Sequence, residues 1–396
     1  MTLDAELYWR PERAAALAAL EDFVERAGHD YARDRNEDRG PDNRHNVSRL
    51  SPWIRARVVT EEEVIRAVLA RHSPGAAEKF IQEVCWRTYW KGWLAMRPQV
   101  WRRYLADVQT LRNDYRDHQG CRRAMAGESG IACFDAFARE LIDTGYLHNH
   151  ARMWFASIWI FTLKLPWQLG ADFFFRYLLD GDPASNTLSW RWVAGLQTKG
   201  KHYVARADNI ERFTAGRFRG PMKLNEKAEP LDEDEEVPRP QALKECIWPE
   251  RSGRTGVLLT DEDVSAGSWL AGEYGVASLA GMLPERAYEH LAVDDRVVNF
   301  RRAGLKDAGA EILHGRTPVA SVADWLKREK LDLVLMPEPT VGLWDDAVRE
   351  LTASGLPIHL VRRPWDENLY PHATHGFFRF KSAFAGRKIF DFVSNG

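Results

Sequence analysis

The chain has 396 residues, enough for two domains with at least one large core. Its composition, 45% hydrophobic and 28% charged with a formal net charge of −2, is ordinary for a globular protein. Every apolar run is too short to cross a membrane, and the acidic, aromatic N-terminus MTLDAELYWRPER is unlike a signal or transit peptide, so we expect a cytoplasmic protein.

Cysteine and tryptophan usage bears on the kind of site the chain can hold. The cysteines lack the C-x-x-C spacing of zinc and iron–sulfur sites, which favours free thiols in a reducing compartment: Cys85, Cys121, Cys133 and Cys246. The sixteen tryptophans are unusually many, and we expect most of them to serve as apolar packing.

Charge is unevenly distributed along the chain. Residues 43–228 carry 29 Lys and Arg against 18 Asp and Glu, an excess of 11 positive charges. A locally basic region is typical of a surface that binds polyanions such as nucleic acid. A solvated surface of mixed charge has a similar composition, so charge alone leaves both interpretations open.

Residues 1–225 show the pattern of an all-α domain. The stretch 61–72, EEEVIRAVLARH, places apolar side chains at helical spacing up to a break at Ser73-Pro74-Gly75. A long buried helix is predicted next, then a helix–glycine–helix pair over 133–163 and an aromatic helix over 172–179. The alternating pattern of a half-buried strand does not occur in this half.

The second half of the chain has a different sequence pattern. The segment EKAEPLDEDEEVPRPQALKE is rich in acid and proline and predicts a linker over 226–250. In residues 251–396, short apolar runs such as GVLLT and LDLVLMP alternate with amphipathic segments such as SVADWLKREK. This alternation predicts a smaller α/β domain with a Rossmann-like, mainly parallel sheet. It contains neither a G-x-G-x-x-G nor a Walker A motif, which disfavours a phosphate loop.

Four short blocks in the helical half carry residues suited to a ligand. In the first, NVSRLSPWIR, Ser48 and Ser51 can donate to phosphate oxygens, and Arg49 adds positive charge near a helix start. The same residues also fit a simple helix N-cap followed by proline.

The second block, QEVCWRTYW, places Glu83, Trp86 and Arg87 on one face of the long helix. A carboxylate beside an indole in a cavity has a raised proton affinity and can donate to a substrate carbonyl. An intrahelical ion pair over an aromatic core fits these residues equally well.

The third and fourth blocks add acid and amide groups. In LHNHARM the neighbouring histidines point apart, which disfavours zinc, and Arg152 can pair with Asp180 across helices. In LLDGDPASNTLSWRW, Asp180 and Asp182 can accept hydrogen bonds from ring N–H or ribose groups, and Asn186 offers both donor and acceptor. Its two tryptophans are two positions apart, so we expect them to point in different directions.

Together the four blocks resemble the flavin-binding helical domain of the cryptochrome/photolyase family. The family motif T-S-R-L-S-P reads VSRLSP here, E-x-x-W-R reads EVCWR, and H-N-x-x-R-M reads HNHARM. D-G-D-x-A-x-N followed by W-x-W reads DGDPASN followed by WRW. The joint match in order and spacing, over about residues 30–215, is specific although each motif alone is weak.

The resemblance implies FAD as cofactor and nine residues that hold it: Ser48, Arg49, Leu50, Ser51, Arg87, Arg152, Asp180, Asp182 and Asn186. The S-R-L-S residues would hold the pyrophosphate, and the two arginines would lie beside the flavin, with Arg152 paired to Asp180. The two aspartates would fix the isoalloxazine edge and the ribityl or adenosine side. Asn186 would sit near flavin N5 and tune the cofactor.

The resemblance also implies roles in electron transfer and substrate binding. Trp190 and Trp167 match two members of an electron-relay chain. The third falls near Asp114 and Tyr115, where no tryptophan occurs, so either Tyr115 substitutes or the relay leaves by another route. Five residues match a pocket for a cyclobutane pyrimidine dimer: Glu83, Trp86, Asn149, Met153 and Trp192. The indoles would stack on the flipped dimer, and Glu83 would hydrogen-bond a pyrimidine carbonyl.

The domain order departs from that of the family, in which an α/β antenna domain precedes the helical domain. Here the α/β pattern follows the linker. Residues 309–338 and 355–363 resemble the latter half of that antenna domain, and GFFRFKSAF is similar to the segment that closes it. We therefore expect a permuted order. The residues leave open whether this domain binds a second, antenna chromophore.

These features imply a monomeric, light-dependent DNA repair enzyme of the deoxyribodipyrimidine photo-lyase type, whose partner is UV-damaged DNA. The altered architecture suggests a preference for single-stranded substrate. The alternative is a cryptochrome-like blue-light photoreceptor that binds FAD without repairing DNA. Retention of Glu83, Trp86, Asn149 and Trp192 favours repair, because a pure receptor has no need of that pocket. A third possibility is a helical protein without flavin, which would lack the yellow colour of a purified flavoprotein.

Overall fold

The computed structural model describes residues 9–232, 236–251, 253–315 and 317–384. Within the first of these ranges lie twelve α-helices: α1 (Arg13–Val24), α2 (His29–Asp34), α3 (Ser51–Arg55), α4 (Glu61–Leu69), α5 (Pro74–Ala95), α6 (Pro98–Asp114), α7 (Gln119–Met125), α8 (Ala132–Thr144), α9 (Asn149–Ser157), α10 (Trp167–Tyr177), α11 (Pro183–Ala194) and α12 (Ala207–Phe213). Helix α9 continues into one π-helical turn, Ile158–Thr162. The predicted all-α character of this half is confirmed.

Local sequence explains several helix ends. Thr60 and Glu63 form a reciprocal capping box at the start of α4. Ser73 caps α5, and Pro74 occupies its first turn, so the predicted break separates α4 from α5. Gly145 ends α8 in the left-handed region, with φ 68°, which glycine adopts without a steric penalty.

The helix predicted over 172–179 needs correction, because α10 begins at Trp167 and ends at Tyr177. Pro166 precedes it, and proline favours the start of a helix since it has no N–H to leave unpaired. Leu178 leaves the helix with ψ 121°, which turns the chain into the loop before α11.

The C-terminal part is a five-stranded parallel sheet, as predicted: β1 (Thr255–Thr260), β2 (Ser278–Met282), β3 (Glu311–Ile312), β4 (Leu333–Pro337) and β5 (Ile358–Val361). Its strand order is β3-β2-β1-β4-β5. The helices of this part are α13 (Ala266–Tyr274), α14 (Glu285–Leu291), α15 (Asp295–Asp307), α16 (Pro318–Glu329), α17 (Asp345–Ala353), α18 (Pro364–Leu369) and α19 (Phe377–Phe384).

The central strand β1 pairs with β2 on one side and with β4 on the other, so the winding of the sheet reverses between β1 and β4. In open α/β sheets this switch point is the usual ligand site, outside the carboxyl ends of the strands. Here Asp261, Glu262 and Asp263 follow β1 directly, and all three are buried. Three buried carboxylates therefore lie at the switch point of the sheet.

The segment predicted as a linker, 226–250, has no helix or strand among its described residues. It is nevertheless hydrogen-bonded to the helical part. Leu231 N donates to Ala194 O at 2.9 Å, and Gln241 N donates to Met96 O at 2.8 Å. The segment thus lies along the helical part between the two halves of the chain.

The two halves pack against each other. Backbone hydrogen bonds join Val264 N to Ala56 O and Asp294 N to Arg176 O, each at 3.0 Å. Helix α19, from the tail expected to close the α/β domain, instead packs on α5 of the helical part. In the described residues, no helix combines the length and apolarity that a membrane crossing requires.

Candidate functional site

The fourth block forms a buried loop between α10 and α11. Asp180 and Asp182 are 5% and 2% exposed, so both carboxylates lie in the interior. Asp182 is the N-cap of α11, and its Oδ1 accepts a hydrogen bond from Ser185 N at 2.8 Å. Pro183 occupies the first turn of the same helix. We call residues 180–182 the acidic loop.

Two arginines from the second and third blocks neutralise the acidic loop. Arg152 Nη2 donates to Asp180 Oδ2 at 2.9 Å, which is the pairing expected from the sequence. Arg152 Nε also donates to Leu147 O at 2.8 Å, so the guanidinium is held in place. Arg87 forms an ion pair with Asp182.

These cations keep the loop acids ionised. Burial would raise the pKa of Asp180, but Arg152 and Arg87 outweigh it and hold that pKa below its usual value. Burial acts on Asp182 in the same way, and Arg87 with Lys91 lowers its pKa. Both carboxylates are therefore hydrogen-bond acceptors at neutral pH.

The first block lies next to the acidic loop. The Ser51 hydroxyl contributes to the lowered pKa of Asp180, which brings the first and fourth blocks together. Leu50 is fully buried and occupies the N-cap position of α3 without a side-chain cap, so the simple N-cap interpretation of this block does not hold. Ser48 Oγ accepts a weak hydrogen bond from Leu50 N at 3.4 Å.

Arg49, between these residues, has a left-handed backbone with φ 53°, and its carbonyl accepts a hydrogen bond from Trp9 Nε1 at 3.1 Å. A non-glycine residue in this region is uncommon and often lies at a functional site.

Several buried polar atoms around the loop suit a polar ligand. Asp180 Oδ1 and Ser185 Oγ are buried and have no hydrogen-bond partner among the described residues. Such a buried group costs ~1–3 kcal/mol unless something satisfies it. Asn186 is 8% exposed and donates from Nδ2 to Ala171 O at 2.7 Å. The arrangement fits a ligand with several donors and acceptors, as a flavin has.

The second block does not form the intrahelical ion pair that the sequence also allowed. Glu83 Oε1 pairs with Arg35 Nη1 of the N-terminal segment at 2.5 Å, whereas Arg87 reaches the acidic loop. Burial raises the pKa of Glu83, although Arg35 opposes this. The carboxyl is thus more easily protonated than an exposed glutamate.

The two tryptophans assigned to substrate each stack on a different ring. Trp86 lies face to face with Phe377 of α19, at 3.7 Å between centroids and 10° between planes. Trp192 stacks on Tyr203 at 6.0 Å and 22°. Both indoles remain half-buried, whereas Trp190 is 2% exposed, so the tryptophans of W-R-W do differ in environment.

The other substrate residues also retain exposed surface. Asn149 is exposed at the first position of α9, and Met153 is half-buried one turn later. Their neighbours Ala151 and Trp154 are fully buried. All five residues assigned to the dimer pocket thus reach the surface of a mostly buried helical region.

The aromatic residues around Trp190 and Trp167 differ from the expected relay. Trp190 meets Phe174 edge-on at 5.1 Å and Trp159 at 6.4 Å. Trp167 stacks on Tyr104 at 5.7 Å. The tyrosine that the structure places against Trp167 is therefore Tyr104.

Tyr115, the substitute suggested from the sequence, is the C-cap of α6 and packs on His118 at 4.9 Å between centroids. Beyond Tyr104 the aromatic contacts continue to Trp101 at 5.2 Å.

Sequence reasoning missed two arginines that contact the acidic loop. Arg55 and Arg301 both donate to the carbonyl of Gly181, between the two aspartates. The signal for Arg55 was present as a cation inside the apolar run PWIRARVV. Arg301 lies in the other half of the chain, where no local pattern marks it.

A cavity of about 800 Å³ opens between the two halves, beside the N-terminus of α13. Its lining includes charged and aromatic side chains, among them Arg13, Glu63, Arg66, Trp269, Asp307 and Arg363. It is separate from the acidic loop, whose residues do not line it.

Residues 80–232 match the family described as the FAD binding domain of DNA photolyase. The matched segment contains the second, third and fourth blocks, and the first block lies before it. The match fits the geometry, because these blocks meet at the acidic loop.

The known proteins similar to this chain include several photolyases. A deoxyribodipyrimidine photo-lyase of Streptomyces griseus is 33% identical over 177 residues, 41% of this chain and 38% of that protein. One from Thermus thermophilus is 33% identical over 193 residues, 47% of this chain and 43% of that protein.

A solved class III photolyase from Agrobacterium tumefaciens is 27% identical, with a TM-score of 0.46, and the match covers 54% of this chain and 45% of that one. The chain spans less than half the length of these relatives. The family match and the curated relatives confirm the resemblance to the cryptochrome/photolyase family.

Proposed function

We propose that this protein is a light-dependent DNA repair flavoprotein of the deoxyribodipyrimidine photo-lyase type, which splits cyclobutane pyrimidine dimers. The observation that carries the proposal is the convergence of the first three blocks on the buried acidic loop of the fourth. Arg87, Arg152 and Ser51 come from three different helices, and all of them act on Asp180 or Asp182.

FAD is the cofactor that this site would hold. When bound, FAD supplies the absorption of blue light and the electron that splits the dimer. Asp180 and Asp182, held ionised, would accept hydrogen bonds from the ring edge and the sugar side. Ser48 to Ser51, at the start of α3, would contact the pyrophosphate, and Asn186 would lie near the flavin ring.

Glu83 and the exposed aromatic residues would bind the lesion. Burial raises the pKa of Glu83, so this carboxyl takes up a proton more easily than an exposed glutamate, and in its protonated form it would donate to a pyrimidine carbonyl and stabilise negative charge there. Trp86 and Trp192 offer aromatic surface for the flipped bases, with Asn149 as a further polar contact. Arg35 must leave Glu83 or share it when substrate binds, because it occupies one carboxylate oxygen in the free protein.

Trp190 and Trp167 would relay electrons to the flavin. Both are buried in contact with other aromatic rings, so each electron transfer would cover only the short distance between neighbouring rings. In this proposal Tyr104 replaces Tyr115 as the neighbour beyond Trp167.

The second candidate is a cryptochrome-like photoreceptor that binds FAD without repair. Two contacts favour it: Phe377 already covers a face of Trp86, and Arg35 already engages Glu83. A receptor tolerates both contacts, whereas a repair enzyme must displace or accommodate them.

We also propose the place of a second chromophore, if the chain binds one. The cavity of about 800 Å³ between the two halves is large enough for a planar cofactor and contains Trp269 beside Arg363. An absorption band of the purified protein that FAD does not account for would support this assignment. Loss of that band in a Trp269→Ala variant that retains FAD would locate the chromophore in the cavity.

The deciding experiment is repair of a thymine-dimer oligonucleotide by the reduced, FAD-loaded protein in blue light and in darkness. Light-dependent restoration of intact thymines supports the enzyme. Absence of repair, together with a flavin that bleaches in light, supports the photoreceptor. Parallel assays on single- and double-stranded substrate test the proposed preference for single strands, and sedimentation tests the proposed monomer.

A further inference from the structure

We propose that Arg301, supplied by the α/β half, is a positioning residue for the flavin site, acting with Arg55 through the carbonyl of Gly181. The α/β half is then a structural part of the cofactor site. This inference rests on the proposed function only in that the acidic loop binds FAD; it does not require DNA repair.

The carbonyl of Gly181 lies between the two loop aspartates and is bonded from two sides. Arg301 Nη2 donates to it at 2.7 Å, and Arg55 Nε donates to it at 3.1 Å. Both arginine side chains are 1% exposed. A peptide group held by two buried cations cannot rotate freely, so the directions of the neighbouring carboxylates are fixed with it.

The arginines are themselves fixed by Asp261, which is fully buried after β1. Arg55 Nη1 donates to Asp261 Oδ2 at 2.8 Å and to its backbone carbonyl at 2.6 Å. Trp344 Nε1 donates to Asp261 Oδ1 at 2.8 Å. Burial would raise the pKa of Asp261, but Arg55 and Arg301 lower it, so the aspartate is ionised at neutral pH between two cations.

Tyr288 completes the cluster from α14. Its hydroxyl donates to Asp261, and Arg301 Nη1 donates to the Tyr288 oxygen at 2.7 Å. Arg301 thus has one terminal nitrogen on the acidic loop and the other on the α/β half. A lysine at 301 could keep the charge but not both directions of hydrogen bonding.

This cluster occupies the switch point of the sheet. Asp261 marks the carboxyl end of β1, where an α/β sheet of this order ordinarily receives a ligand. Arg55 of the helical half enters that position and bonds Asp261. The switch point of the α/β half therefore contains a side chain of the helical half, and Arg301 of the α/β half reaches the acidic loop that would hold FAD.

The same helix provides a matched control. Arg296, on α15 with Arg301, also donates across to the helical half, to Ile142 O at 2.9 Å and Asp143 O at 3.0 Å. Those carbonyls belong to the end of α8 and not to the acidic loop. Arg296→Lys therefore disturbs the contact between the halves without touching Gly181.

The experiment compares the wild type, Arg301→Lys and Arg296→Lys as full-length chains. The Kd for FAD is measured by quenching of its fluorescence, and the flavin midpoint potential and absorption fine structure are measured on the loaded proteins. We expect Arg301→Lys to weaken FAD binding at least tenfold and to shift both flavin signals, while Arg296→Lys stays within twofold of the wild type. Equal FAD binding and spectra in all three proteins, or equal losses in both variants, would overturn the proposal.

A second variant and the behaviour of the wild type distinguish failure of this inference from failure of the proposed function. If Arg301→Lys does not fold, Tyr288→Phe removes only the hydroxyl that orients Arg301. We expect Tyr288→Phe to weaken FAD binding less, by about threefold. An FAD affinity equal to that of the wild type would overturn the positioning role. A wild type that binds FAD but repairs no dimer defeats the enzyme proposal alone, whereas a wild type that binds no FAD defeats both.

Discussion

The ion pair between Arg152 and Asp180 gives the sharpest test of the acidic loop. Arg152→Met removes the cation and keeps much of the side-chain volume, leaving a carboxylate that is 5% exposed with one partner fewer. Breaking a buried pair costs ~3–5 kcal/mol. Because the Arg152 side chain keeps 23% of its surface exposed, we expect a smaller loss in the free energy of unfolding, about 2 kcal/mol at pH 7.

The pH dependence separates this cause from lost packing. In the wild type the pKa of Asp180 lies below its usual value. The pair therefore contributes fully to the free energy of unfolding at pH values above the pKa of Asp180 in the unfolded chain. That contribution is lost as the pH falls through the lower pKa of Asp180 in the folded protein. In the variant, Arg152 no longer opposes the effect of burial, so the pKa of Asp180 rises. Protonation of Asp180 at lower pH then removes the unpaired buried charge. The stability difference between the two proteins should narrow as pH falls from 7 to 5.

The assay is urea unfolding of the proteins without added FAD at both pH values, with Asp180→Asn in each background. We expect Arg152→Met to cost much less when Asp180 is already Asn, because no buried charge is then left alone. A loss that is the same at pH 7 and pH 5, and unchanged by Asp180→Asn, would refute an electrostatic role for the pair. Arg152→Lys, which keeps the charge, should fall between the wild type and Arg152→Met.

Three other outcomes follow from the structure. Burial lowers the pKa of His148 to about 4, so the unfolded chain binds the extra proton and wild-type stability should fall between pH 6.5 and 4. His148→Gln should remove up to roughly 3 kcal/mol of that acid sensitivity, measured by urea unfolding; an unchanged pH slope would contradict it. Phe377→Ala should free a face of Trp86, shift its fluorescence and strengthen binding of dimer-containing DNA if the stack blocks substrate; weaker binding would show that Phe377 supports the indole. Tyr104→Phe should slow photoreduction of the flavin severalfold if Trp167 passes electrons through it, and an unchanged transient-absorption rate would exclude that path.

Much of the fold could be predicted from local sequence. The strands β1 and β4 are short apolar runs between amphipathic helices, and the parallel sheet follows from that alternation. The start of α5 was marked by Ser73 and Pro74, a cap and a first-turn proline. The start of α10 was missed because its first turn carries no polar cap, and Pro166 was the only local signal.

The parts of the candidate site that lie within sequence motifs could be predicted. The contacts between residues far apart in sequence could not. The pairing of Arg152 with Asp180 followed from a resemblance between motifs. The partner of Glu83, Arg35, lies 48 residues away, and the partner of Gly181, Arg301, lies 120 residues away. Hydrophobic periodicity describes a helix or strand by itself and contains no information about which charged group of another element will reach it.

The pair of hydrogen bonds from Arg55 and Arg301 to Gly181 also has a consequence for biosynthesis. The loop carbonyl is made 120 residues before Arg301, so at ~5–20 residues per second the ribosome adds the second cation about 6 to 24 s later. During that interval the Gly181 carbonyl lacks the hydrogen bond from Arg301, and the nascent helical half lacks the contact that orients its loop. Stable retention of the flavin should therefore begin only after the β-strands have emerged, late in translation.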